Sequence, residues 1–214
     1  PNLKELNLEL HNFNVTIKME EDKTPCIFLP LPITFREEGN PFLHLQIPEL
    51  QAKKERFDFI KLLKNASNAF FFVDIGNPHL VSIIDISDAS SILDAFFSSK
   101  QITEIINYTG ERIQKEFLKT GGINLSFVII ENNNNIFVRT YERGVGETLS
   151  CGSGSAASAF ISAHLGLTNK QNIRIFNKGS EKVLAIKESY HQLSVEPSNL
   201  LLKGKGTRVA KVII

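Results

Sequence analysis

The chain has 214 residues with 24 basic and 23 acidic side chains, a net charge of +1, and 42% hydrophobic content. That length and composition suit one or two globular domains with a sizeable core. The near-neutral balance, without a basic block, gives nucleic acid no electrostatic footprint. No apolar run reaches the length of a membrane span, and Lys4, Glu5 and Glu9 interrupt any signal-like segment at the start. Two widely spaced cysteines, Cys26 and Cys151, do not make a disulfide framework, so a reducing cytoplasm is the default expectation.

Along the chain, Leu6, Leu8 and Leu10, then Val15, Ile17 and Met19, alternate with polar residues. This predicts two strands over residues 5–19 with a turn near His11–Asn12. Pro25, Pro30 and Pro32 mark a connection. The alternation from Phe42 to Ile47 predicts a strand stopped by Pro48. Residues 49–67 are charged and irregular, and read as a further connection. Ala69–Ile75 is a buried strand. The turn Gly76-Asn77-Pro78-His79 leads to a second strand over Leu80–Ile84. Two helices are expected next, over roughly 88–98 and 102–118. A hairpin follows, Ile123–Ile130 with Ile136–Tyr141 around the Asn-rich turn. A Gly-rich loop runs over Gly144–Gly154. A small-residue helix over Ser153–Leu165, closed by Gly166, and several short strands ending in Val209–Ile214 complete an α+β chain.

The chemistry concentrates in Tyr141-Glu142-Arg143-Gly144-Val145-Gly146-Glu147-Thr148-Leu149-Ser150-Cys151-Gly152-Ser153-Gly154. A thiol at a helix N-terminus lies in the positive end of the helix dipole. That placement predicts a lowered thiol pKa and an accessible thiolate. The free N–H groups of the first turn can hold a carboxylate, and Gly152 and Gly154 allow close approach. One turn can thus bind a carboxylate and present a base beside it, as α-proton abstraction from an amino acid requires. The structural alternative is a buried, inert cysteine. A dinucleotide loop is disfavoured: a polar loop precedes the glycines, and no acid lies about 20 positions on. A Cys–His hydrolase using His79 lacks an identifiable oxyanion arrangement. The five histidines are scattered, so no metal site is expected.

The Tyr141–Ala157 run resembles the second cysteine motif of the diaminopimelate epimerases. Gly76-Asn77-Pro78-His79 resembles that family's G-N-P-H turn. Ile123-Asn124 followed by Phe127 resembles its V-N-x-x-F segment, and Leu45–Glu49 loosely resembles its interdomain strand. The resemblance implies two pseudo-symmetric domains, each a curled sheet around a central helix, with the N-terminal one incomplete here. On this division residues 1–48 are the remainder of the N-terminal domain, 49–202 the C-terminal domain, and 203–214 a strand returning to the first. The implied activity is interconversion of LL- and meso-diaminopimelate by two cysteines, without cofactor or metal, by an enzyme that tends to dimerise.

Carried onto this chain, the resemblance makes Cys151 an acid/base and gives the α-carboxylate to the N–H groups of Gly152 and Ser153. It sets Asn77, Asn124 and Arg143 at the distal end of the substrate and Glu142 at the α-ammonium. His79 helps position Cys151, and Glu147 and Thr148 support the site. Each has a plainer alternative: a turn for Asn77, a core histidine for His79, a buried hydrogen bond for Asn124, a surface pair for Glu142 and Arg143. The family's first motif, C-G-N-G, does not occur in this sequence, and Cys26 in Thr-Pro-Cys-Ile-Phe reads as a buried apolar residue. Two expectations follow: a complete epimerase whose first motif lies on residues upstream of Pro1, or an amino-acid-binding half-protein or pseudoenzyme. A proline-racemase-like isomerase is a third, and a hydrolase ranks last.

Overall fold

In the computed structural model, residues 5–10, 13–21, 24–32, 34–43, 59–65, 68–86, 92–178, 191–195 and 199–204 are described. They form strands β1 (Glu5–Leu10), β2 (Phe13–Met19), β3 (Pro25–Pro30), β4 (Thr34–Glu38), β5 (Ala69–Asp74), β6 (Pro78–Ile83), β7 (Asn124–Asn132), β8 (Asn135–Glu142), β9 (Gly146–Thr148), β10 (Ile173–Asn177), β11 (His191–Val195) and β12 (Asn199–Lys203). The helices are α1 (Phe59–Leu63), α2 (Leu93–Ser98), α3 (Lys100–Glu116) and α4 (Gly152–His164). The strands join in the order β1-β2-β3-β12-β11-β10-β8-β7-β6-β5-β4, with β9 paired to β8. Two neighbouring pairs, β6 with β7 and β8 with β10, run parallel, and the others run antiparallel.

Strand alternation divides the core into two layers. Phe70, Leu80, Leu125, Phe127, Ile129, Phe137 and Tyr141 face α2 and α3. There the aromatic rings Phe42, Phe127, Phe59, Phe96, Phe97, Phe137 and Phe176 touch in succession at centroid distances of 4.9–6.1 Å. Val73, Val81, Val128, Ile136, Val138, Ile175, Leu193 and Leu202 face the other way, around α4. Helix α3 has one apolar face, Ile102, Ile105, Ile106, Thr109 and Ile113, and Ser99 caps its start by accepting from the Ile102 N–H at 3.3 Å. Helix α4 differs: Gly154 to Ala159 and Ile161 to Ala163 are all buried. A helix buried on every side needs small residues to lie this close to strands, and α4 contacts β5 to β8 and β10 to β12. Gly166 ends it at φ +71, with its N–H on the Ala163 carbonyl.

The α+β class, the first two strands, β5, β6, the hairpin and the three main helices agree with the sequence reading. Other elements differ: β4 lies in a stretch for which the sequence suggested no element, and β9 lies within the expected Gly-rich loop. The segment read as a Pro-rich connection contains β3, with Pro25 and Pro30 at its first and last positions, where a missing donor costs least. Residues 59–63, within the charged segment, form helix α1. The strand expected from Phe42 begins instead as a 3-10 turn over Pro41–Leu43, and its continuation through Pro48 lies outside the described residues, as do 209–214. No helix among the described residues is long and apolar enough to cross a membrane.

Candidate active site

Three backbone ends on the α4 side of the sheet place the site. Parallel pairing sets His79, at the start of β6, opposite Asn124, at the start of β7. Antiparallel β8 brings Glu142 and Arg143 back to the same end, and α4 begins there with Cys151 as its N-cap. Asn77, His79, Asn124, Glu142, Cys151 and Ser153 therefore converge from four separate stretches of sequence.

Ser153 is the centre of the polar network. Its hydroxyl oxygen lies 3.4 Å from Cys151 Sγ, 3.0 Å from His79 Nε2 and 3.2 Å from Asn77 Nδ2. The Asn124 Oδ1 accepts from the Arg143 N–H at 3.0 Å, which turns its Nδ2 toward His79 Nε2 at 3.4 Å. Nε2 can donate to Ser153 or accept from Asn124, and the opposite ring nitrogen is Nδ1. That Nδ1 is buried and has no hydrogen-bond partner among the described residues. Complete burial, and secondarily the Arg143 charge, push the His79 pKa down to about 3, so the ring is neutral and does not act as a cationic partner of the thiol.

Cys151 is buried, with Sγ accepting from the Gly154 N–H at 3.4 Å. Burial pushes its thiol above the ordinary value. The bonds from Ser153 and Gly154 pull it down, and the Glu142 carboxylate pushes it up further. The expected lowering at the helix terminus is thus present but outweighed by desolvation. The free chain therefore holds Cys151 as the protonated thiol. The first-turn N–H groups of Gly152 and Ser153 have no intrahelical acceptor by helix geometry, and remain suited to a carboxylate.

Glu142 is half-buried, and its Oε1 accepts from Thr148 Oγ1 at 2.5 Å. Arg143 is exposed, with Nη1 donating to the Gly121 carbonyl at 2.7 Å. Glu147 stands apart from the others. Its side chain lies on the α3 face of the sheet, away from Cys151, and pairs with fully buried Arg139 and with Lys178 at 2.9 Å. Arg139 also donates to the Phe96 carbonyl and to Thr103 Oγ1. The sequence reading passed over Arg139, though a cation inside the apolar alternation of Ile136–Tyr141 demands a buried partner. Cys26 is a free, buried thiol in β3, level with Lys18 and Lys203 in the register. It points to the face opposite α4 and cannot meet Cys151.

A family model described as diaminopimelate epimerase matches residues 71–200, spanning every one of these site residues. The chain belongs to the diaminopimelate epimerase family. A diaminopimelate epimerase of Caldanaerobacter subterraneus is 35% identical over 133 residues, 62% of this chain and 43% of that protein. The chain spans less than half the length of the curated diaminopimelate epimerases it matches. Among solved structures, a predicted epimerase from Pseudomonas aeruginosa shares the fold at a TM-score of 0.59 and 12% identity, over 94% of this chain and 62% of that one. A phenazine biosynthesis protein of Bacillus anthracis does so at a TM-score of 0.53 and 12% identity, over 94% and 65%.

Proposed function

We propose that this chain carries one half of a cofactor-independent diaminopimelate epimerase site, with Cys151 as its acid/base. The observation that supports this most is the placement of the Cys151 thiol at the α4 N-cap, beside Glu142 and above two free helix N–H groups. The substrate α-carboxylate would sit on the Gly152 and Ser153 N–H groups, which stabilise the charge that builds as the α-carbon loses its proton. Glu142 would take the α-ammonium. Burial holds the thiol pKa high and the carboxylate adds to it; the cation would offset the carboxylate's part, so substrate binding itself would ease ionisation of Cys151. Asn77, Asn124 and Arg143 would hold the distal end, where Arg143 offers a planar fork for a carboxylate.

Inversion needs a second group on the opposite face of the α-carbon: one thiolate removes the proton while a thiol returns one. Cys26 points to the wrong face. The second thiol would come from a C-G-N-G-bearing domain, to which residues 1–48 and 203–214 would contribute. The reaction would serve lysine and peptidoglycan precursor synthesis in the cytoplasm, and the complete enzyme would form a homodimer.

The test is α-proton exchange of meso-diaminopimelate in deuterated water under reducing conditions, followed by NMR. The chain as given should exchange slowly or not at all. Adding a C-G-N-G-bearing domain should make exchange fast, and Cys151→Ser should abolish it. Absence of exchange with that domain present would leave an amino-acid-binding relative instead.

A further inference from the structure

Strand β9 has two faces with different duties. Glu147 points toward α3, where Arg139 and Lys178 hold its carboxylate and Asn107 Oδ1 accepts its N–H at 2.9 Å. Thr148, the next residue, points to the α4 side, opposite Thr140 in the register. A one-residue slip of β9 would exchange these faces, and the buried ion cluster forbids it by leaving Arg139 unpaired. From this fixed position the Thr148 hydroxyl donates to Glu142 Oε1 at 2.5 Å.

We propose that Thr148 is a positioning residue: anchored by the Arg139–Glu147–Lys178 cluster behind it, its hydroxyl holds the Glu142 carboxylate beside Cys151. Glu142 is the last residue of β8 and only half-buried. A carboxylate there gains hydration and rotamer freedom by turning outward, so its inward position needs a restraint. The groups facing Cys151 are Glu142 from β8, and the Ser153 hydroxyl and Gly154 N–H from α4. His79, from β6, reaches the thiol only through Ser153 and is neutral, and Arg143 acts on His79. Glu142 is thus the one charge acting directly on the thiol among the described residues. The consequence for substrate binding rests on the function proposed above, but the restraint itself is a property of this chain.

The test is therefore independent of turnover. The alkylation rate of Cys151 by iodoacetamide is measured against pH on the full chain, with peptide mass spectrometry separating Cys151 from Cys26. Glu142→Gln should move the midpoint down, because it removes the charge. Thr148→Val should move it down by about half a pH unit, about threefold in rate below the midpoint, as Glu142 turns to water. Thr148→Ser should keep the native midpoint, and Glu142→Gln with Thr148→Val should match Glu142→Gln alone. Thr148→Ala replaces the valine variant if that does not fold. A native midpoint in a folded variant lacking the hydroxyl would overturn the proposal. So would a serine variant that shifts like valine, or a Glu142→Gln midpoint that does not move. Failure of proton exchange would sink the proposed reaction without altering these titrations.

Discussion

Two glycines of the Cys151 motif lie two positions apart and carry different constraints. A methyl on Gly154 would lie 2.8 Å from Thr140 Oγ1 and 3.1 Å from Ser126 Oγ, while one on Gly152 would meet only Leu202 Cδ2 at 3.7 Å. The hydroxyls behind Gly154 are buried and bonded to each other at 3.1 Å, so neither yields without losing its partner. Alanine improves helix propensity by about 1 kcal/mol, whereas overpacking costs about 1–3 kcal/mol. Gly154→Ala should therefore destabilise the chain by about 1–2 kcal/mol in urea unfolding, while Gly152→Ala stays within about 0.5 kcal/mol of the parent. Equal urea midpoints for the two variants would contradict this account of how closely α4 lies on the sheet. The sequence pattern suggested that both glycines allow close approach of a ligand at the helix start. Which glycine meets a strand, and which leaves room for a ligand, depended on Thr140 and Ser126, brought there only by the tertiary fold.

At the scale of elements, the turn from β8 to α4 shows how a motif residue can serve the site from behind. Glu147 lies in the most recognisable stretch of the chain, yet its carboxylate is committed to Arg139 on the far face. Arg139 has no exposed side-chain surface, and Thr103, the Phe96 carbonyl and Glu147 satisfy its donors. Breaking a buried pair by removing one partner costs about 3–5 kcal/mol, whereas removing both charges costs much less. Lys178 still pairs with Glu147 when Arg139 is removed, so Arg139→Met should cost about 3 kcal/mol, the low end of that range, by urea denaturation, and Arg139→Met with Glu147→Gln should recover part of the loss. Additive losses would show that the two side chains do not act as a pair. The strands whose alternation is bounded by turns, β1, β2, β5 and β8, were legible in the sequence because one or both faces are apolar. Strand β4 was not: Thr34-Phe35-Arg36-Glu37-Glu38 is an exposed edge whose charges suit solvent and hide the period. Strand β3 was obscured by prolines that the strand tolerates at its ends.

The sheet separates two apolar layers, one around α3 and one around α4, and the site occupies the end of the α4 layer where β6 and β7 begin and β8 ends. The parallel pair that helps create this end, β6 with β7, joins segments far apart in the chain, and periodicity cannot reveal such a pairing. His79 is the residue that links this topology to global stability. It is fully buried, neutral, and held at a pKa of about 3 against an ordinary 6.5. Above pH 6.5 neither the folded nor the unfolded chain protonates it, and its contribution to stability is complete. As the pH falls below 6.5, the unfolded chain gains a proton that the folded chain refuses, and stability is lost progressively toward pH 3. Other groups also titrate in this window, so the comparison that isolates His79 is with His79→Gln, which keeps a polar partner for Ser153 but cannot be charged. Urea midpoints measured from pH 7 to pH 4 should fall more steeply for the parent chain than for His79→Gln. Parallel curves would mean that the imidazole accepts its proton without unfolding. The packing of His79 against α4 would then be looser than its complete burial implies.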